Sequence, residues 1–309
     1  MAEKAKYAIL TLLLLSPFTA EVLTGATSLL EFINPVILGI LVSLYGLGAL
    51  LIREARIRLN IGYSGVLLLG FVYGIIEEGI AVKSFFDPHW KDLGIFGVYG
   101  RWMGVNWVWS LYLTIFHSVW SILAPIIIVE ALYPSIMDRQ WIGRRGLILS
   151  ILIFSIDIIV INLILTKYQP SSMHYLACFI VIIMLIYTAY KLRKHIIIRE
   201  LGISPKHYGF YWMLWGSGFF AAFYIVSSLI PLPLIPIIIG LLIGYASYIL
   251  VKKLDSSRQN NLYRYWLYTG VVVPLLFIDI LQALQLNIER LTVTVITIVM
   301  LIVMYRNTK

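Results

Sequence analysis

The sequence predicts an all-α, polytopic integral membrane bundle of about ten transmembrane helices with both termini cytoplasmic. Three observations carry this expectation. Of 309 residues, 61% are hydrophobic and only 13% charged, and the mean hydropathy of +0.91 lies far above what a water-soluble domain tolerates. Ten apolar stretches reach the length of about 20 residues needed to cross a bilayer: roughly 7–22, 33–52, 61–82, 104–132, 146–166, 174–190, 208–229, 232–251, 265–284 and 290–305. The third observation is the alternation of basic residues, which accumulate on the cytoplasmic side of membrane proteins.

Taken in order, the first stretch follows Lys4 and Lys6. That start invites a signal-peptide reading, but Pro17 and Glu21 follow the run without a small-residue cleavage pattern, so a retained helix is expected. The second stretch ends at Arg53, Arg56 and Arg58. The fourth is followed by Arg139, Arg144 and Arg145, the sixth by Lys191, Arg193, Lys194, Arg199 and Lys206, the eighth by Lys252, Lys253, Arg258 and Arg264, and the tenth by Arg306 and Lys309. Counted with the N-terminal pair, nineteen of the twenty-four Lys and Arg lie on one side. The other side keeps Lys83, Lys91, Arg101, Lys167 and Arg290. A single missed or invented span would scramble this alternation.

The net charge of +9 then follows from orientation and contact with anionic lipid, and gives no basis for a nucleic-acid partner. One cysteine, Cys178, excludes a disulfide framework and a cysteine-rich metal site. No large soluble domain fits between the spans, so residues 1–309 form a single transmembrane domain. Its texture changes along the chain: 17–133 is dense in acids, Gly, Trp and His, whereas 144–309 reads as Ile, Leu, Val and Tyr helices with short basic loops. Ten spans could form two inverted five-span repeats, but the acidic pair has no second copy.

The third span carries Gly70, Gly74 and Glu78 at four-residue intervals, one face along which another helix can approach closely. Glu77 is turned about 100° from its neighbour in an α-helix, so one carboxylate at most is expected to point squarely into a given cleft. The fourth span runs back with Asn106, Ser110, Thr114, His117 and Ser121 on one face. Polar side chains inside a membrane face the bundle interior or water. The two consecutive antiparallel spans are therefore expected to enclose a polar cleft of Glu77, Glu78, Asn106 and His117, open to the outer side. There a partly desolvated carboxylate could take a proton from water, and the imidazole could orient that water or stabilise an oxyanion. The structural alternative is a pair merely held by His117, Tyr73 and Arg101.

Between these spans, KSFFDPHWKDLGIFGVYGRWMGVNWVW suits an aromatic segment at headgroup level. It could also be a lid or substrate platform, with Arg101, Trp107 and Lys83 as substrate-binding residues and Arg101 and Lys83 as counter-charges. Asp87 and His89 could join Glu77, Glu78 and His117 around a metal. No HExxH or comparable fixed spacing is present, so neither a metal nor another cofactor is expected.

These residues resemble the glutamic intramembrane proteases of the CAAX-protease and bacteriocin-processing type, whose Glu-Glu pair is matched by Glu77-Glu78 and whose following histidine is matched by His117. The resemblance covers about 50 residues and implies a membrane-embedded peptidase in which Glu77 or Glu78 activates water and His117 assists. The metal-independent hydrolysis of a membrane peptide or protein is the first functional expectation. A proton- or cation-coupled transporter is the second, because Asp157 and Asp279 sit near the middle of their spans. A non-catalytic membrane scaffold is the third. The partners expected are the lipid bilayer and a membrane peptide or protein, at a multi-pass cell-membrane location.

Overall fold

Ten helices are long and apolar enough to cross a membrane in the computed structural model, which describes residues 2–192, 202–256, 261–284 and 287–308. They are span 1 (Glu3–Val22), span 2 (Pro35–Arg58), span 3 (Tyr63–Ala81), span 4 (Trp107–Leu132), span 5 (Arg144–Leu165), span 6 (Ser172–Lys191), span 7 (Pro205–Leu229), span 8 (Leu234–Asp255), span 9 (Asn261–Ala283) and span 10 (Ile288–Thr308). The protein is thus a multi-pass helical membrane protein. Arg193, Lys194, His195, Arg199, Arg258 and Lys309 lie outside the described residues.

Spans 3 and 4 form the axis of the bundle, whereas spans 5 and 6 lie at its edge: 72% and 89% of the most apolar windows of the first two are buried, against 11% and 17% for the others. Glycine sets the central contact. A Cβ on Gly70 would fall 2.7 Å from Ser118 Cα, and one on Gly74 would fall 3.0 Å from Thr114 Cα. Only hydrogen fits at Gly70, and Ser118 Oγ uses the closeness to donate to Leu67 O at 2.6 Å. The small-residue face read from the sequence is therefore a helix–helix contact.

Span 2 runs six residues beyond its expected end because its arginines are buried in an ion network. Glu130 of span 4 accepts from Arg53 Nε and from Arg56 at 3.1 Å each and from the Tyr63 hydroxyl at 2.6 Å. Arg53 also donates to Glu54 at 2.8 Å, and Arg264 of span 9 donates to the Tyr63 hydroxyl at 3.2 Å. Paired and hydrogen-bonded charges of this kind are the form in which charge persists in an interior. Asp255, at the end of span 8, accepts from Tyr63 N and Ser64 N at 2.5 and 2.9 Å and so caps span 3. These contacts fix the ends of spans 2, 3, 4, 8 and 9 relative to one another.

At the opposite end of spans 3 and 4, the connection 82–106 folds back over the bundle. Phe85, Phe86, Leu93 and Phe96 are buried. Its last part is a two-strand hairpin, β1 (Arg101–Trp102) and β2 (Val105–Asn106), joined by Met103 and Gly104 with φ of 52° and 76°. A two-residue turn with both φ positive is the type whose twist suits a hairpin. His174 of span 6 pins its tip through Nε2 and Met103 O at 3.0 Å.

In each of the first four spans the α-helix widens into a π-helical turn: Phe18–Val22, Val42–Gly46, Ile75–Ala81 and His117–Leu123. The wider spacing is visible in Leu23 N donating to Phe18 O at 3.0 Å and Val82 N to Glu77 O at 2.7 Å, each five residues back. Such insertions re-aim side chains and concentrate at functional sites.

Candidate functional site

The four π-helical turns carry the polar residues that meet in the interior: Glu21, Tyr45, the pair Glu77 and Glu78, and His117 with Ser121. At the centre, His117 bridges the two glutamates. Its Nδ1 lies 3.0 Å from Glu77 Oε2 and its Nε2 lies 3.0 Å from Glu78 Oε1. Both acids therefore face one imidazole, contrary to the expectation that at most one could point into the cleft. Two causes combine. A π-helical turn holds more residues per turn, so successive side chains diverge less, and an imidazole offers a nitrogen at each edge to two diverging carboxylates.

The surrounding contacts hold this arrangement. Ser121 Oγ, one helical turn beyond His117, lies 3.0 Å from Nδ1. The Ser84 hydroxyl donates to Glu78 Oε2 and in turn accepts from Trp109 Nε1 at 2.9 Å. Tyr45 and Tyr73 place their rings 6.1 and 6.2 Å from the imidazole. Tyr45 also donates to Glu21 Oε1 at 2.5 Å, and Thr27 donates to Oε2 of the same acid at 2.5 Å. The Tyr73 hydroxyl lies close to Glu77 yet makes no hydrogen bond of acceptable geometry, and Glu77 Oε2 keeps its contact with His117 Nδ1. Glu21 and Tyr45 were invisible to local sequence reasoning, being a single acid and a single tyrosine in separate apolar runs.

Glu77, Glu78 and His117 are 1, 8 and 3% exposed. The site is therefore closed rather than the expected open cleft, because the apolar side chains of the 82–106 connection pack down and carry Ser84 onto Glu78. Asn106 is not part of it. Its carbonyl oxygen caps span 4 by accepting from Trp109 N at 3.0 Å, and its amide donates to Phe96 O. Ser110 and Thr114 likewise bond back to their own helix at 2.6 and 2.7 Å.

The cations expected to balance the acids are turned elsewhere. Lys83, at φ 67°, donates its ammonium to Asn162 O and Thr166 O at 2.7 and 3.0 Å. That position, the C-terminal end of span 5, favours positive charge, although burial pushes the ammonium below its ordinary pKa. Arg101 donates to the carbonyls of Gly97, Phe86, Gly104 and Asp87 at 3.1, 2.8, 3.3 and 3.3 Å and so holds the connection together. Asp87 Oδ1 accepts from His89 N at 2.9 Å in a local turn, away from the cluster.

Beside the site lies a cavity of about 970 Å³, bounded by spans 3, 4, 6 and 8 and the hairpin. Its walls are mostly apolar; Arg101, Trp107, Thr114 and His174 supply polar atoms along them. Gly79, next to Glu78 in the chain, borders the cavity wall: a Cβ there would fall 3.1 Å from Cys178 Sγ and 3.1 Å from Phe85, both of which line the cavity. Trp107 lines the cavity half-exposed, donating to Trp102 O at 3.1 Å.

The two midspan acids are placed differently. Asp279 accepts from Arg290 at 3.3 Å, and the same guanidinium nitrogen donates to Val22 O at 2.7 Å, tying span 10 to the end of span 1. Arg290 stands only eleven residues after Asp279 in the chain. Asp157 turns toward Ser43 of span 2 with Oδ2 unpartnered, while Asn162 donates to Ile80 O and Tyr175. Glu130 belongs to the ion network.

Fold and site define a polytopic helical membrane protein with a buried centre of two carboxylates and one imidazole. The chain belongs to the family described as "Uncharacterized membrane protein family", whose sequence model matches residues 10–308. It is similar to a curated protein of Archaeoglobus fulgidus, described as "Uncharacterized protein", at 29% identity over 99 residues, 32% of this chain and 30% of that relative. The similarity thus spans under a third of the relative's length. No solved structure matches the chain.

This membership corrects the resemblance to CAAX-type glutamic proteases, since no match to that family accompanies it. The residues agree with the correction. The arginine of that motif would fall at Val82, and the aromatic residue four places before the histidine would fall at Leu113. The described histidines that follow His117 are used elsewhere: His174 pins the hairpin and His207 pairs with Ser204 at 2.8 Å.

Proposed function

We propose that the protein is a membrane-embedded hydrolase that cleaves a membrane peptide or protein at the Glu77–Glu78–His117 centre. The observation that supports this reading is the meeting of three proton-handling groups at 3.0 Å, on helices that also wall a cavity wide and apolar enough to take a segment from the lipid. Glu77 takes a proton from water as the hydroxide adds to the scissile carbonyl, and passes that proton from Oε2 to His117 Nδ1, 3.0 Å away. His117, oriented by Glu78 and Ser121, gives a proton to the amine as the C–N bond breaks. Opening of the connection around Ser84 and Phe85 admits the substrate. No comparable observation favours transport: the cavity is not lined by Asp157 or Asp279, and Asp279 is paired.

The test is hydrolysis of a mixture of transmembrane peptides by purified protein in lipid nanodiscs in ¹⁸O-labelled water, followed by mass spectrometry of new carboxyl termini. Wild type should incorporate the label. Glu77→Gln, Glu78→Gln and His117→Ala should each slow incorporation by about 10²-fold or more. Label incorporated equally by folded variants, or none by wild type, would overturn the reading.

A further inference from the structure

We propose that Glu77, Glu78 and His117 bind one divalent first-row transition-metal ion, for which Zn²⁺ is the natural probe. This goes beyond hydrolysis and does not depend on it. Each of the three residues offers one ligand atom, and these atoms all lie within 4.8 Å of one another. The missing HExxH spacing told against a metal because that motif places its ligands on one helix. Here two helices supply them, which no contiguous motif would reveal.

Charge is the second argument. Among the described residues, the charged groups bearing most strongly on Glu77 are His117, Glu78 and Glu21. One imidazole stands among three acids, since Lys83 and Arg101 spend their donors on backbone carbonyls. Buried anions require pairing or a bound cation. The third argument is the unused valence of the site: the Tyr73 hydroxyl, on a residue 2% exposed and close to Glu77, makes no hydrogen bond. A water on the bound ion gives it a partner.

The outer contacts are those a metal site uses to fix its ligands. Ser121 Oγ, 3.0 Å from Nδ1, holds the imidazole at the edge that faces Glu77, while Ser84, backed by Trp109, holds Glu78 Oε2. Three protein ligands leave an open position for water, as in catalytic zinc sites. The imidazole and the small ligand number suit a transition metal better than Ca²⁺, which takes 6–8 oxygens.

The experiment uses the untagged full chain in detergent, stripped with chelator and titrated with Zn²⁺ by calorimetry, with metal content read by mass spectrometry. One Zn²⁺ per chain is expected. Glu78→Gln and His117→Ala should weaken binding by about tenfold or more, and an Asp87→Ala/His89→Ala double variant should bind like wild type. Uptake by folded wild type no greater than by the Glu77→Gln/Glu78→Gln variant would overturn the proposal. Should the glutamine variants fail to fold, Co²⁺ added to wild type decides: a visible ligand-field band supports the site, and its absence disproves it. No Zn²⁺ binding with hydrolysis intact would remove the ion and leave the hydrolase standing; Zn²⁺ binding without hydrolysis would do the reverse.

Discussion

At the scale of single residues, the centre is set by which polar atoms are satisfied and which are not. The Tyr73 hydroxyl is buried and unpartnered, a condition that costs about 1–3 kcal/mol in an interior. Tyr73→Phe is therefore expected to leave the metal-free protein as stable as wild type or up to about 1 kcal/mol more stable, read as its thermal midpoint in detergent after chelation. The same substitution should slow hydrolysis and reduce the midpoint gain from added Zn²⁺, because the bound water then loses its hydroxyl partner. An unchanged hydrolytic rate would mean that Tyr73 does not face the reacting water. Glu77, Glu78 and His117 were legible in the sequence as rare polar residues on adjoining spans. Asn106 was misplaced for a local reason: a residue at the start of a helix serves its free N–H groups first.

Among the elements, the contact between spans 3 and 4 positions the centre, and Gly70 is its tightest point. A larger side chain there must displace Ser118 backbone rather than a flexible side-chain tip. Gly70→Val should therefore lower stability by about 1–3 kcal/mol and abolish hydrolysis together, whereas Gly39→Ala, with open space around its Cβ position, should do neither. Thermal unfolding and the ¹⁸O assay on the two variants give the comparison. Spacing at four-residue intervals made this glycine face readable. The π-helical turns were not readable, because a one-residue widening leaves the hydrophobic period nearly intact while changing the direction of each side chain beyond it. An α-helical angle between Glu77 and Glu78 therefore separates them in the sequence reading, and the π-helical turn does not.

For the whole molecule, the ten spans and their order agree closely with the apolar stretches, and the ion network around Glu130 explains why span 2 extends through three arginines. The basic alternation supports cytoplasmic termini, and labelling tests this. Lys167→Cys and Lys206→Cys, both at exposed positions, should react with a membrane-impermeant maleimide from opposite sides of sealed vesicles, the first from the exoplasmic side. Reaction from the same side, or with the order reversed, would overturn the orientation; buried Cys178 should contribute little to either signal.

The sequence by itself determined the membrane class, the number of spans, the close pairing of spans 3 and 4, and the three residues of the centre. Each follows from composition or from a period along one helix, quantities that neighbouring residues define. Only the tertiary structure decided that both acids meet one imidazole, that the site is closed, that Lys83 and Arg101 serve carbonyls, that Arg290 answers Asp279, and that Glu21 and Tyr45 join from other spans. Those outcomes depend on contacts between residues far apart in the chain and on the rotation imposed by π-helical turns, and neither leaves a mark in local periodicity.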